Sequence, residues 1–404
     1  MFCVKKIRED FPILKRKVNR QDLIYFDNAA TTQKPLCVID CIDSFYKEES
    51  SNVHRGVHTL SQEATNRFEL SRKTVQEYIN AKHSHEVIFT KGTTESINLV
   101  ASCITGQIKK GDEIIISHLE HHSNIVPWQM LCDRTGAILR VIPIEDSGEL
   151  IFCEYEKLLS EKTSIIAISH ASNTLGVIND IKKIIDKARQ YDAKVLIDGA
   201  QYVAHLPVDV QDLDVDFYVF SAHKMYGTSG VGVLYGREEI LDKLPPYQGG
   251  GNMIKEVSFE KTTYDCLANK FEAGTPNIEG VVAFEKAINY ISGIGLENIS
   301  KYEDELLYYA TEKLQSISGL KIYGRAVEKI GVISFNVDKI HHYDLGLILD
   351  KMGIAIRTGH HCTQPIMKRF DISGTARLSL AMYNTKEEID KMSEALVRAI
   401  KILS

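Results

Sequence analysis

From about Tyr25 to Gly236, apolar runs of four to six residues alternate with amphipathic stretches of 10–18. Each run is strand-sized and each stretch can lay one helical face across it, so the succession specifies βα units around a mostly parallel sheet. Seven runs predict seven strands, at residues 87–90, 113–117, 138–142, 165–169, 194–198, 216–220 and 232–235. Helical periodicity is best at 63–79, 94–104, 181–191 and 277–291.

After Pro245-Pro246-Tyr247-Gln248-Gly249-Gly250-Gly251 the grammar changes. Helical patterns through Tyr290 and at 298–317 precede strands at 320–323 and 332–336, a helix at 343–351, a strand at 376–380 and a last helix at 385–402. The expectation is an α/β unit over 22–262 with a mixed seven-stranded sheet, and a smaller α+β unit over 263–404 that takes in residues 1–21. A length of 404 residues exceeds what one core fills, and a 44% apolar content supplies two.

Net charge is −6 and no run of five basic residues occurs, so no nucleic-acid partner is expected. Lys5, Lys6, Arg8, Glu9 and Asp10 break the N-terminus before any apolar signal core, and no run reaches the roughly 20 residues of a membrane span. Eight cysteines are scattered without a CxxC pair, which fits reduced thiols and a cytoplasmic location.

Two strand ends carry the first chemical signal. Asp198 closes the run Val195-Leu196-Ile197-Asp198, and Lys224 follows the run ending at Phe220, 26 positions on. A desolvated amine and a carboxylate on neighbouring strand ends suit pyridoxal phosphate, which needs a Schiff-base lysine and an acid opposite its ring nitrogen. Lys91-Gly92-Thr93-Thr94-Glu95-Ser96 turns a strand into a helix and so offers free N–H groups, with the Thr93 and Thr94 hydroxyls, to a phosphate. Ser221 and His223 are further phosphate donors. His121, beside His122, follows a strand end where it could stack on the ring and shuttle protons, and Asn173 and Gln201 are placed to reach the ring's phenolic oxygen.

Cys362 stands in Arg357-Thr358-Gly359-His360-His361-Cys362, a glycine-bearing loop whose cations favour a thiolate. Arg377 is a lone cation in an apolar run, either a bidentate grip for a substrate carboxylate or half of a structural ion pair. The histidine pairs with Cys362 leave a zinc-binding scaffold as an alternative of a different class, although no second ligand cluster has metal-site spacing.

These residues fall within longer runs: Tyr25-Phe26-Asp27-Asn28-Ala29-Ala30-Thr31-Thr32, Val53-His54-Arg55-Gly56-Val57-His58-Thr59-Leu60, Gly92-Thr93-Thr94-Glu95-Ser96-Ile97-Asn98, Glu120-His121-His122-Ser123-Asn124, Asp198-Gly199-Ala200-Gln201, Ser221-Ala222-His223-Lys224, Phe271-Glu272-Ala273-Gly274-Thr275-Pro276 and the Cys362 loop. With them the chain resembles the group II, SufS-type cysteine desulfurases of the class V aminotransferase superfamily, fold type I, over nearly its whole length. The resemblance implies that Lys224 holds pyridoxal phosphate as an internal aldimine and that Asp198 pairs with the pyridinium. It further implies that His121 stacks on the ring, Gln201 contacts its phenolic oxygen, and Thr94, Ser221 and His223 bind the phosphate.

It implies, too, that Thr275 reaches the phosphate of a neighbouring subunit in a homodimer, and that Asn173, Arg357 and Arg377 stand at the substrate-carboxylate positions. The implied reaction converts L-cysteine to L-alanine and leaves a persulfide on Cys362. A SufE-type or SufU-type acceptor takes the sulfur on for iron–sulfur cluster assembly, and selenocysteine lyase is an expected side activity. Another class V aminotransferase or epimerase would keep Lys224 and Asp198 but have no use for Cys362. Ser96 and Ser123 replace the Gly and Ala associated with these motifs, and neither change removes a required group.

Overall fold

A computed structural model describes residues 2–404. The seven apolar runs form one sheet: β1 (Val87–Thr90), β2 (Glu113–Ser117), β3 (Ile138–Ile142), β4 (Thr163–Ser169), β5 (Lys194–Asp198), β6 (Phe217–Ser221) and β7 (Gly232–Gly236), in the order β1-β7-β6-β5-β4-β2-β3. Neighbours from β6 through β3 are parallel, whereas β7 runs antiparallel to both β1 and β6. Every strand except β7 therefore points its carboxyl end to the same edge.

The central strands are continuous apolar runs because both faces are covered. Ile115, Ile166, Ile168, Val195, Ile197 and Phe220 enter a core on one face, while Ile114, Ile116, Ile165, Leu196, Phe217 and Val219 enter a core on the other. Helix α1 (Thr59–Tyr78) and helix α3 (Ile278–Ile294) pack on the first face, and α2 (Thr93–Cys103) on the second.

A second sheet is antiparallel throughout and contains Leu320–Tyr323, Val332–Val337, Thr375–Ser379 and Arg357–Gly359 in that spatial order. Leu296–Gln315, His342–Lys351 and Lys386–Leu403 cover it, the last opened by a capping box between Thr385 and Glu388. Ile24 and Phe26 belong to this second core, and Ile24–Tyr25 pairs in parallel with Ile354–Ala355. Helix α3 instead contributes to the first core, so the packing changes later than the change of sequence grammar near 245–251.

Helices Leu36–Ser44 and Val126–Thr135 and a hairpin of Ile254–Val257 with Thr262–Tyr264 were not expected. Neither helix has a capping side chain, and Pro127 sits in the first turn of the second, where a missing N–H costs nothing. Among the described residues no helix is long and apolar enough to cross a membrane.

Candidate active site

The carboxyl edge of the sheet encloses a cavity of about 200 Å³ lined by Thr93, Thr94, His121, Asn173, Asp198, Gln201, Ser221, His223, Lys224 and Arg357, with Ala29, Ala30 and Ser169 among the rest of its wall. Topology explains the convergence. β1 delivers Thr93 and Thr94, β2 delivers His121, β4 delivers Asn173, β5 ends on Asp198, and β6 leads into Ser221 and Lys224.

Beyond β1 the chain turns at Gly92, whose φ of +155° is open to glycine but not to side-chain-bearing residues. A Cβ on Gly232, in the adjacent β7, would lie 2.3 Å from the Gly92 Cα, so this turn needs both glycines. Thr93 starts α2, with its N–H donating to Ser221 Oγ at 2.8 Å and its hydroxyl 2.7 Å from the same oxygen. Thr94 follows in the first turn, where N–H groups have no intrahelical acceptor, and it faces the cavity. Backbone donors, hydroxyls and a helix N-terminus together form a cradle whose chemistry suits an anion such as a phosphate.

Asp198 Oδ1 accepts from the Ala200 N–H at 3.0 Å, and among the described residues no donor meets Oδ2. Burial raises the carboxyl, with Lys224 opposing, so a cation at Oδ2 would hold it ionised. Burial also pulls the Lys224 amine down to about 8, against Asp198, which raises it. His121 is pushed down to about 3 by burial and by Lys224, and is therefore neutral. Its Nδ1 accepts from the Ser123 N–H at 3.1 Å, which places the hydrogen on Nε2. His223 is held down to about 4 by burial and the Lys224 charge. Gln201 Nε2 donates to Ala29 O at 2.8 Å, and Asn173 Nδ2 donates to His361 O at 2.8 Å.

Cys362 does not line this cavity but lies against Arg357, which does, with Nη2 3.6 Å from Sγ. Its loop is strained and pinned. His361 and Cys362 are successive left-handed residues at φ +52° and +59°, a conformation that costs free energy and persists only where contacts impose it. Those contacts are His122 N–H to Cys362 O at 2.8 Å, Asn173 to His361 O, His361 Nε2 with Thr375 Oγ1 at 2.9 Å, and Thr363 Oγ1 with Thr174 Oγ1 at 2.8 Å.

Arg377 is fully buried and takes the ion-pair alternative: Nη2 meets Asp27 Oδ1 at 2.8 Å and Nη1 donates to Asn173 O at 2.9 Å, leaving Nε without a partner among the described residues. Arg357 sits directly opposite it across the strand pair. Thr275 is away from the cavity, in clefts shared with Asn52, Arg55 and Lys91. Among the described residues no three His, Cys, Asp or Glu side chains converge as a metal ligand set, so the zinc alternative lacks its ligands.

A family model for the class-V aminotransferases matches residues 24–392. The chain belongs to that family. It is 50% identical over 404 residues to a cysteine desulfurase of Shigella sonnei, spanning 100% of this chain and 99% of that one. It is likewise 50% identical over 405 residues to a cysteine desulfurase of Escherichia coli, with both chains fully covered. Among solved structures it is similar to apo cysteine desulfurase from Thermococcus onnurineus NA1, with a TM-score of 0.95, 39% identity, and 100% and 99% coverage. It is also similar to the S-sulfonic acid form of the cysteine desulfurase CsdA from Escherichia coli, with a TM-score of 0.93, 36% identity and full coverage of both.

Within this class-V fold, three groups near the cavity escaped the sequence reading. Asp27 is the partner of Arg377, 350 positions away. Thr31, Thr32 and Lys34 converge on His223 O through Thr31 Oγ1 at 3.0 Å, the Thr32 N–H at 3.1 Å and Lys34 Nζ at 3.0 Å, fixing the peptide before Lys224. Glu120 lies fully buried behind His121. All but Lys34 stood in the runs already singled out, and membership of those runs was the signal available.

Proposed function

We propose that the chain is a cysteine desulfurase that uses pyridoxal phosphate and takes the sulfur of L-cysteine onto Cys362. One observation carries the reading: Lys224, Asp198 and His121 share a cavity, and Cys362 sits at its rim against Arg357. The whole-length relatives of that name support it.

When bound, pyridoxal phosphate supplies an aldehyde for an amine and a ring that accepts the electron pair left at a substrate carbon. The residues present fit it. Thr94, the first-turn amides of α2, Ser221 and His223 would hold the phosphate, with Thr93 bracing Ser221. Asp198 Oδ2 would meet the ring nitrogen, His121 the ring face and Gln201 the phenolic oxygen. A Lys224 value of about 8 leaves about a tenth of the amine neutral at pH 7, enough to serve as nucleophile and then base.

Arg357 and Asn173, which face the cavity, orient the substrate carboxylate, while Arg377 braces Asn173 from behind through its carbonyl and is neutralised by Asp27; among the described residues no carboxylate pairs with Arg357. Lys224 Nζ removes the Cα proton. The Cys362 thiolate attacks the substrate sulfur, so that an S–S bond forms and the Cβ–S bond breaks. The electron pair of that bond stays with the carbon fragment, which takes one proton at Cβ and one back at Cα and leaves as alanine. The Lys224 ammonium formed from the Cα proton returns one of these protons and the substrate thiol's own proton accounts for the other, while the neutral His121 offers a hydrogen bond from Nε2–H.

The pinned loop holds the Cys362 sulfur in place, so an acceptor protein of SufE or SufU type must come to the rim to collect it for iron–sulfur cluster assembly. Selenocysteine would follow the same route. The position of Thr275 outside the cavity supports a homodimer in which it serves the neighbouring subunit.

The test is product analysis. L-Cysteine with a thiol reductant should yield alanine and sulfide in equal amounts, and Lys224→Ala should yield neither. A keto acid in place of alanine would support the aminotransferase alternative and end this reading.

A further inference from the structure

Two of the runs that pointed to function, Val53–Leu60 and Phe271–Pro276, contribute nothing to the cavity wall, yet a buried ionic network joins them to the phosphate cradle. β1 is an edge strand of the seven-stranded sheet, and its outer side presents the Val87 carbonyl and the Phe89 N–H with no neighbouring strand. Such an edge must be satisfied or left to solvent. Here Arg72 Nη1 donates to Val87 O at 2.7 Å, and Glu272 Oε1 accepts from Phe89 N–H at 2.7 Å.

Arg72 and Glu272 are themselves joined in a bidentate pair, Nη1 to Oε1 at 2.7 Å and Nη2 to Oε2 at 3.0 Å, with both side chains 3% exposed. The guanidinium lies between the Phe68 and Phe89 rings at 5.4 and 4.9 Å, and its Nε donates to Glu69 Oε2 at 2.9 Å. Glu69 in turn meets His54 Nε2 at 2.9 Å. The pair thus reproduces the donor and acceptor that an eighth strand would have offered, from a helix and a loop.

The strand it holds runs three residues on, from Phe89 to Gly92, where the cradle turns. Cradle geometry is tightly set there, because Gly92 passes so close to Gly232. On the other side Glu272 stands three residues before Thr275, and its carbonyl accepts from Asn252 Nδ2 at 3.0 Å. We propose that Arg72 and Glu272 are a positioning pair that aligns the Gly92–Thr94 cradle with a bound phosphate and ties it to the Thr275 loop. The inference rests on the reading of that cradle as the cofactor's phosphate site.

A charged pair in this role gives a directional readout. Glu272→Gln keeps shape and volume but cannot both accept from Phe89 and match two guanidinium donors, so the end of β1 shifts. Only ligands that use the phosphate should notice. Full-length protein stripped of cofactor is titrated with pyridoxal phosphate and, separately, with pyridoxal, and the ratio of the two affinities is compared between wild type and variant, with thermal midpoints measured alongside.

The expected result is a fall of at least about tenfold in that ratio for Glu272→Gln, carried by the phosphate ester alone, with pyridoxal affinity unchanged. An equal loss for both ligands would make the pair merely structural, and a ratio within twofold of wild type would remove any positioning role; either overturns the proposal. A wild-type ratio near one would instead overturn the cradle reading itself. Should Glu272→Gln fail to fold, Arg72→Met/Glu272→Leu removes both charges without stranding one, and the same comparison applies to it.

Discussion

Glu120 is the most buried acid near the site, and its replacement by glutamine has a calculable outcome. Four donors reach it: Ser117 Oγ at 2.5 Å and Ser169 N–H at 3.1 Å on Oε1, and Ser169 Oγ and Asn124 Nδ2, both at 2.6 Å, on Oε2. Because the Ser169 N–H cannot turn away, the amide nitrogen of Glu120→Gln must take the Oε2 place. There Ser169 Oγ can rotate to accept, but Asn124 cannot flip, since its Oδ1 accepts from Trp128 Nε1 at 2.9 Å. One buried donor then faces another, at a cost of about 1–3 kcal/mol.

A neutral carboxylic acid avoids that conflict, having one hydrogen for Ser169 Oγ and a lone pair still free for Asn124. Burial accordingly lifts Glu120 from 4.5 to about 7, against the opposing hydrogen bonds. Between those values the folded chain holds a proton that the unfolded chain has released. The group's contribution to stability is therefore fully present below the unfolded value and is lost as pH rises through about 7, by up to about 3 kcal/mol.

The variant does not titrate here, so its deficit should be widest in acid and shrink as pH climbs. Trp128, the only tryptophan, is hydrogen-bonded into this cluster and reports its unfolding by fluorescence. Urea midpoints for wild type and Glu120→Gln, taken from about pH 5 to about pH 9 at one protein concentration, measure the difference. A deficit that stays constant or widens with pH refutes the reasoning.

Gly232→Ala places a Cβ 2.3 Å from the Gly92 Cα and should cost at least about tenfold in pyridoxal phosphate affinity, read by titration of stripped protein. His205 is lowered by burial but raised further by Glu303 at 2.6 Å, with a net upward shift. His205→Gln should therefore lower the urea midpoint most below the ordinary histidine value of about 6.5, and the loss should fade as pH rises through the elevated folded value. Asp27→Ala strands the buried Arg377 charge and should cost about 3 kcal/mol of stability by denaturant titration, at the low end for a broken buried pair because Asp27 is 25% exposed.

Strands were the most legible part of the chain. Those at 87–90, 113–117, 138–142 and 194–198 lie where their apolar runs lie, because burial, or membership of a parallel ladder, leaves little room for the ends to drift. The reversed direction of β7 was not legible in its own residues, since it follows from pairing with β1 and β6. Helix Leu36–Ser44 was hidden because it begins at Pro35 with no capping side chain. Lys224, Asp198 and His121 could be found because strand ends are readable and their chemistry is distinctive. Contacts across hundreds of positions were not readable: Asp27 meets Arg377 across 350 positions, Arg72 meets Glu272 at the edge of the first sheet across 200, and the left-handed pair His361-Cys362 is imposed by partners as distant as His122 and Asn173.

Mass analysis of the peptide carrying Cys362 tests the central claim most directly. Cofactor-loaded protein is given L-cysteine without reductant or acceptor and quenched. One added sulfur atom should appear on Cys362 and on no other of the eight cysteines, in step with one alanine per site. Alanine and sulfide released at the wild-type rate with Cys362 unmodified, or by Cys362→Ala, would contradict the account.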